Sequence, residues 1–440
     1  MVRLAWLVLC ALLLPAGWLC QAEEPPRLSD AESKDWRGRI WTALEDGSEK
    51  TLNAIRVEIE KKKLTVRQVE ELIRAGKPYE EEKKGEDVRQ VTLRYDGTQA
   101  EYGIYVPQVY DATKPCPLIV ELHGSGGTGP SYLPLTGWKE IADKEGFIVA
   151  APTTSKERGQ IGTRYGAELV WATIRDVKVH YNVDMDRVYL SGFSRGGHAT
   201  WWLGILSTDR FAGIAPHAGS PKNLLTVDKG KERIWEFFPN VRRLPIYMVH
   251  GIEDPMVPID GPREARDRLK ELEGDFVLDE QDGGHTNFPE RSEKIWEFWK
   301  GKSRDPVPKK VSWIMNEKLF ARGWWVKIDE IRATGGNLTY VIQDPTGHEI
   351  EKRSLAINTA RAAAEVEDAG TISINARNCS SVTLYLDDRL VDLDKEVSVV
   401  VSGIRGKHRF TRSLKTLLET ASERLDPGMA FPVKQTFRVP

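Results

Sequence analysis

The chain has 440 residues, more than one ordinary core accommodates, and a length of this order fits two or three domains. Its apolar content of 40% and charged content of 29% are those of a soluble globular protein. A net charge of −2, with no basic run interleaved with aromatic residues, supplies no field for a polyanion and argues against nucleic-acid binding.

The first residues have a different texture. Met1-Val-Arg3 is a short positive start, Leu4 to Leu14 is apolar, Pro15 and Gly17 break the run, and Cys20-Gln-Ala22 puts small residues before Glu23. This is the layout of a cleaved secretory signal over residues 1–22. A spanning helix would need about 20 apolar residues. A lipoprotein anchor on Cys20 is the weaker alternative, because Trp18 and Leu19 are bulky where such a site wants small residues. The expected location is secreted or periplasmic. No second apolar stretch of membrane length follows, so no membrane association is expected after cleavage. Cys10 and Cys20 leave with the signal, and Cys116 and Cys379 remain. Export would permit a disulfide between them. Two buried free thiols are the simpler expectation.

Residues 23–87 read as a helical N-terminal extension. Residues 23–30 are an unstructured leader. Residues 31–76 are highly charged, with Ile55, Ile59, Val66, Val69 and Ile73 at helical spacing. Ser29 and Thr65 are N-caps, and Gly76 followed by Pro78 is a stop. Two or three helices leaning on the main domain are expected. The charge run Glu80 to Lys84 reads as solvated linker.

From residue 88 to 300 strands and helices alternate. Val88 to Tyr95 and Glu101 to Val106 alternate apolar and polar residues, as antiparallel strands do. Pro117 to Leu122, Phe147 to Ala151, Arg187 to Leu190, Gly213 to Ala215 and Leu244 to Val249 are short apolar strands separated by helical stretches. That is the pattern of a doubly wound, mostly parallel sheet in an α/β domain. In such sheets the ligand sits at the carboxyl ends of the strands, where this chain puts its glycines and histidines. Lys300 to Pro308 is a linker. Residues 309–440 read as a smaller, mostly-β accessory domain, with turn signals at Gly335-Gly336 and Pro345-Thr-Gly347, strands at Thr383 to Leu386 and Glu396 to Val401, a late helix near Arg412 to Arg424, and an extended tail.

Gly192-Phe-Ser194-Arg-Gly196 fits the pattern G-x-S-x-G, between a strand and a helix. The strand must turn abruptly into the helix with the serine at the apex. Gly192 and Gly196 leave room for the turn, and the helix from His198 aims its dipole at developing negative charge. A Gly-rich turn whose serine merely caps the helix is the plain alternative. A serine nucleophile needs a base, and the base needs an orienting group. The chain order for this motif is Ser, acid, His. His285, in Gln281-Asp-Gly-Gly-His285-Thr-Asn287, lies on a glycine-rich loop after the strand Asp275 to Glu280 and before a helix over 290–299. The acid should follow the preceding strand, where His250-Gly-Ile-Glu-Asp254-Pro supplies Asp254, with Glu253 and Asp260 as rivals. Pro255 fixes the backbone of Asp254. Oxyanion donors are expected from the backbone N–H of Arg195 and from the loop His123 to Gly129, with Ser125 first and Gly126 second.

That loop also matches G-x-G-x-x-G, but Pro130 and Pro134 delay the helix and no acidic residue ends the next strand, so a dinucleotide site is rejected. No Walker loop and no H-E-x-x-H occurs, so neither cofactor nor metal is expected. His123 and His250 should hold their loops by hydrogen bonds. His217, His198 and Trp202 are the candidates for substrate contact. Of Trp201 and Trp202, which follow the nucleophile on its helix, one is expected in the core, and a sugar-stacking platform is the minority reading.

The segments Leu-His-Gly-Ser-Gly-Gly, Gly-Phe-Ser-Arg-Gly-Gly, His-Gly-Ile-Glu-Asp-Pro-Met-Val-Pro and Gly-Gly-His-Thr resemble secreted α/β-hydrolases. The nearest group is the polyhydroxybutyrate-depolymerase and feruloyl- or acetylxylan-esterase-like set, with prolyl-oligopeptidase catalytic domains more distant. The likeness covers residues 88 to 300. It implies an α/β-hydrolase fold, a Ser194-Asp254-His285 triad and no cofactor, and it leaves the substrate open. Arg195 and His198 depart from the apolar or Gln residues often found after the nucleophile. No β-propeller precedes the domain, which weakens a peptidase reading. The expected activity is carboxylic-ester hydrolysis on a small-molecule or polysaccharide ester, or a polyester. The alternatives are a prolyl-oligopeptidase-like serine peptidase and a non-catalytic binding or scaffold protein on a hydrolase fold.

Overall fold

A computed structural model describes residues 26–440 apart from 155–158, 160–161, 223, 225, 228–230, 333–336, 344–348, 357–358 and 369. The expected signal segment 1–22 and the turns at Gly335-Gly336 and Pro345 to Gly347 lie outside the described residues.

Eight strands form the main sheet: β1 (Gly85–Thr92), β2 (Gln99–Val106), β3 (Cys116–Leu122), β4 (Ile148–Pro152), β5 (Val183–Phe193), β6 (Gly213–His217), β7 (Ile246–Gly251) and β8 (Phe276–Gln281). Their order is β1-β2-β4-β3-β5-β6-β7-β8. β2 pairs antiparallel with β1 and β4, and every later pairing is parallel. The central strands β3, β4, β6 and β7 are buried along their whole length because both faces of the sheet are covered there, whereas β1 and β8 at the edges carry charged residues. Alternate residues serve opposite faces: Leu118 and Val120 join one core and Ile119 the other. Of the covering helices, α4 (Trp138–Glu145) and α8 (Ser292–Trp299) lie on one face. On the other lie α5 (Arg164–His180), α6 (Arg195–Leu206) and α7 (Asp260–Glu271). The chain leaves β3 toward β4 on one side and reaches β5 on the other. The crevice at the carboxyl ends of β3 and β5 is therefore the switch point of the sheet.

The N-terminal region forms three helices, α1 (Asp30–Asp46), α2 (Glu49–Lys61) and α3 (Val66–Arg74). Ser29 and Thr65 are their caps as expected, each in a reciprocal box with Glu32 or Gln68, and Ser48 caps α2. Their apolar stripe is not simply laid on the main sheet. Trp41, Leu44, Ile59 and Ile73 share a core with Leu417, Leu418 and Ala421 of α9 (Leu414–Arg424), so the two ends of the chain fold together. The run Glu80 to Lys84 is less free than expected. Lys84 Nζ donates to the Tyr110 carbonyl at 2.6 Å, and the Tyr181 hydroxyl donates to the Lys83 carbonyl at 2.8 Å.

The C-terminal region builds a five-stranded and a four-stranded sheet around Trp313, Trp325, Leu384 and Val399. Its tail is not merely extended. Val433–Arg438 pairs antiparallel with Ser381–Leu386, which satisfies the strand's backbone groups. The linker is fixed as well, because Arg304 inserts between Asp186 and Asp426 at 2.5 and 2.8 Å. Cys116 and Cys379 are both buried free thiols. Among the described residues, no helix is long and apolar enough to cross a membrane, and no group of His, Cys, Asp and Glu is arranged to hold a metal ion.

Candidate active site

Ser194 lies between the end of β5 and the start of α6, with φ 54° and ψ −115°. Positive φ is costly for a residue with a side chain, by about 1–3 kcal/mol, and persists only where surroundings impose it. Here the imposing contacts are backbone ones. The Ser194 N–H donates to the His217 carbonyl at 2.9 Å, and the His198 N–H returns to the Ser194 carbonyl at 2.9 Å. The flanking glycines are sterically required. A Cβ on Gly192 would stand 2.6 Å from the Gly196 carbonyl oxygen, and one on Gly196 would run into the Leu122 carbonyl. The G-x-S-x-G spacing is thus a packing requirement of the turn.

His285 follows β8 on a loop whose preceding glycines pack against β7. A Cβ on Gly251 would meet the carbonyls of Gly283 and Gly284. The ring stands between Ser194 and Asp254. Its Nε2 is 2.8 Å from Ser194 Oγ and its Nδ1 is 2.7 Å from Asp254 Oδ2. The other oxygen of Asp254 accepts the N–H groups of Met256 and Val257 at 2.8 and 2.9 Å, which sets the orientation of the carboxylate. The rivals are elsewhere: Glu253 is exposed, and Asp260 opens α7 beside Lys222. Arg195 is the first residue of α6, where N–H groups are free of helix partners. Ser125 and Gly126 form an exposed turn, and Gly126 has φ 80°. The preceding Gly124 borders the nucleophile, its Cβ position being 3.5 Å from Ser194 Cβ.

Four further histidines around the site, His123, His250, His217 and His198, tie its segments together. His123 Nδ1 donates to the Gly124 carbonyl at 2.7 Å, and its Nε2 accepts the Thr154 N–H at 3.0 Å, joining the loop after β3 to the end of β4. His250 Nε2 donates to the Val257 carbonyl at 2.7 Å and holds the Asp254 loop. Burial lowers both rings below the usual imidazole value. His217 and His198, expected to meet substrate, are buried instead. His217 Nδ1 donates to the Asn287 carbonyl at 2.6 Å, anchoring the His285 loop, and His198 Nδ1 lies 2.7 Å from the Ser220 carbonyl. The Nε2 of each is buried without a partner among the described residues, and desolvation brings each ring down to about 4. Trp202 is in the core, packed edge-on to Phe320 at 5.3 Å, and presents no platform to a sugar.

Several residues of the site were not singled out from the sequence. Phe193 packs tilted against the His285 ring at 5.0 Å, and Tyr132 stacks on Phe193 at 6.5 Å. Asn287 donates to the Leu135 carbonyl at 2.8 Å and links the His285 loop to the segment after β3. Leu135, Ile252 and Met256 are large apolar residues left exposed on these loops. Glu121, near the end of β3, is fully buried. It accepts the Trp138 indole N–H at 2.9 Å, and burial pushes its carboxyl up to about 7. A lone charge inside the apolar run Pro117 to Leu122 was its visible signal.

Sheet order, strained elbow and hydrogen-bonded side chains together define an α/β-hydrolase domain. Residues 147–301 match the family described as Phospholipase/Carboxylesterase. A bifunctional acetylxylan esterase/xylanase of Neocallimastix patriciarum is 30% identical over 201 residues, covering 45% of this chain and 27% of that protein. Feruloyl esterase B of Neurospora crassa is 34% identical over 125 residues (26% of this chain, 42% of the relative). Poly(3-hydroxyalkanoate) depolymerase C of Paucimonas lemoignei is 30% identical over 122 residues (25% and 29%). The chain thus spans less than half the length of each of these relatives. Among solved structures, a thermostable esterase aligns over 50% of this chain and 63% of its own, at 22% identity and a TM-score of 0.42.

Proposed function

We propose that the protein is a serine hydrolase that cleaves carboxylic esters outside the cytoplasm. The observation that carries this reading is the continuous hydrogen-bonded line from Ser194 Oγ through His285 to Asp254, 2.8 and 2.7 Å, at the switch point of the sheet. Ser194 Oγ attacks the ester carbonyl carbon while His285 Nε2 takes its proton. Asp254 holds Nδ1 protonated and stabilises the imidazolium. The oxyanion is received by the N–H of Arg195 and that of Ser125, with Gly126 as the second choice on the loop. A missing donor of this kind costs about 3–4 kcal/mol of transition-state stabilisation. The tetrahedral adduct collapses with His285 returning the proton to the leaving alcohol. Water then repeats the sequence on the acyl-enzyme and releases the acid.

The relatives named for acetylxylan, feruloyl and polyester substrates support esters of plant polysaccharides or polyesters. The exposed Leu135, Ile252 and Met256 offer an apolar rim for an acyl group or polymer chain. The test is a panel of nitrophenyl acetate, methyl ferulate, acetylated xylan and peptide anilides, run with Ser194→Ala beside the parent chain. Esters should be turned over and anilides poorly. Efficient anilide cleavage would move the reading to a peptidase. An esterase rate unchanged in Ser194→Ala, or no labelling of Ser194 by a fluorophosphonate, would remove it. Export rests on the layout of Met1 to Ala22, and the exported chain should begin near Glu23 on N-terminal sequencing. A mature chain that retains Met1 counts against it.

A further inference from the structure

A cavity of about 270 Å³ lies where α1, α5, the Asp209-Arg210 turn, the linker and α9 converge, and none of Ser194, Asp254 and His285 lines it. Five arginines do: Arg94, Arg175, Arg210, Arg304 and Arg424. Two are neutralised within the fold, Arg304 by Asp186 and Asp426, and Arg424 by Asp209 at 2.6 Å. The other three have no carboxylate in direct contact, although Asp209, Glu423 and Glu168 stand near Arg210, Glu45 near Arg175, and Asp46 and Glu168 near Arg94. Arg175 donates to the carbonyls of Ser422, Leu44 and Glu45 at 2.8, 3.1 and 2.7 Å. Arg94, at the rim, reaches the carbonyls of Glu45 and Asp46 at 3.2 and 3.4 Å. Arg210 lies over the Trp171 ring at 4.1 Å. Among the described residues none of these three forms an ion pair with a carboxylate.

The carboxylates of the same wall already have partners. Glu45 takes Lys77 at 2.7 Å, Glu423 takes Arg322 at 2.6 Å, Asp426 takes Arg304 and Glu168 stands 3.4 Å from Arg164, while Asp176 accepts the neutral Tyr102 hydroxyl at 2.6 Å and keeps its charge. Counted with these partners, eight cations face seven carboxylates among the described residues, so the wall is left with one cation in excess. Two buried donors there, Trp171 Nε1 and Arg424 Nε, have no acceptor among the described residues. Burial and the neighbouring guanidiniums lower Arg175 and Arg210 to about 9, so the cluster opposes itself as it stands.

We propose that this cavity binds a small oxyanion, a phosphate, a sulfate or the carboxylate of an acidic sugar, between Arg175 and Arg210, with Arg94 at its mouth. Guanidinium forks match such oxygens and lose little order in doing so. The bound anion cancels the mutual repulsion of the arginines and clamps the N-terminal helices, the sheet and α9 to one another.

The test is calorimetric titration of the full folded chain with sodium phosphate, sodium sulfate and sodium glucuronate, at ionic strength held constant with chloride. Saturable one-to-one binding by at least one of them is expected, and the one that binds identifies the source. Tm should rise by about 2 °C at ten times the dissociation constant. Phosphate and sulfate also stabilise proteins by exclusion from the surface. In Arg210→Leu the affinity should therefore fall at least tenfold and the rise in Tm should vanish. The rim variant Arg94→Gln serves the same purpose should Arg210→Leu fail to fold. No saturable binding of any of the three anions, or a rise in Tm undiminished in the variants, overturns the proposal.

Discussion

Ser194 and His285 are the residues on which the proposed chemistry turns, and the roles assigned to them differ in what their loss should do. Ser194→Ala removes the attacking oxygen, and kcat on nitrophenyl acetate should fall by about 10⁶. Asp254→Asn leaves a group of the same shape that favours the wrong imidazole tautomer, and kcat should fall by about 10⁴ with little change in KM. A second set of residues speaks through pH. His198 and His217 ionise near 6.5 in an unfolded chain and near 4 in the fold, so their contribution to stability is present above pH 6.5 and lost as pH falls toward 4. Glu121 acts in the opposite sense. Its carboxyl rises from 4.5 to about 7 on burial, so its contribution is present below pH 4.5 and lost as pH rises toward 7. Between pH 4.5 and 6.5 two histidines oppose one carboxyl, and stability should rise with pH by about 1.4 kcal/mol per unit from these three groups. Glu121→Gln removes the opposing group, and the slope should steepen by about 1.4 kcal/mol per unit in urea titrations across that window. An unaltered slope would mean that Glu121 does not titrate there.

At the scale of elements, the elbow is held by backbone rather than by side chains. β5 enters it, α6 leaves it, and the carbonyls of Leu122 and His217 close in from β3 and β6. Gly196→Ala puts a methyl group into the Leu122 carbonyl. Overpacking against main chain of this kind should cost about 3 kcal/mol or more, since no side chain can move aside. Activity should disappear with it even where the variant still folds, because Ser194 cannot keep its position once the turn opens. Urea unfolding read beside esterase rate separates the two effects. The loops after β7 and β8 are held differently, by His250 on Val257 and by His217 on Asn287. Imidazoles at strand ends here act as fixed hydrogen-bonding struts, buried and neutral, and that is why two of them are unavailable to a substrate.

For the whole molecule the decisive contacts run between regions far apart in the chain. α1 to α3 and α9 share one apolar core, and Arg304 and Arg424 carry buried charge pairs across the seam between the hydrolase sheet and the C-terminal region. Removing one partner of a buried pair leaves an uncompensated charge, which costs about 3–5 kcal/mol. Arg304→Met should destabilise the chain by that amount. The double variant Arg304→Met, Asp426→Leu should recover part of the loss, because one stranded carboxylate is gone. Equal stability of the single variant and the parent in urea would show that the seam is not held by this residue.

The alternation of short apolar strands with helical stretches was enough to read a doubly wound parallel sheet, and strand-end positions with fixed chain order singled out Ser194, Asp254 and His285. Both are local properties: periodicity follows from strand geometry, and the glycines of the elbow are demanded by a turn only five residues long. The partners of buried groups were not legible in the same way. His198, His217 and Trp202 carry side chains able to meet a substrate, and only the packing of β6, α6 and the Asn287 loop decided that they face inward. The C-terminal tail gave no sign of joining Ser381–Leu386, and a linker composition concealed Arg304, whose three partners lie on distant segments. Chemistry and periodicity are written residue by residue along the chain. Burial, charge compensation and the arginine cavity arise only when segments hundreds of residues apart meet, and a single sequence carries no local mark of that meeting.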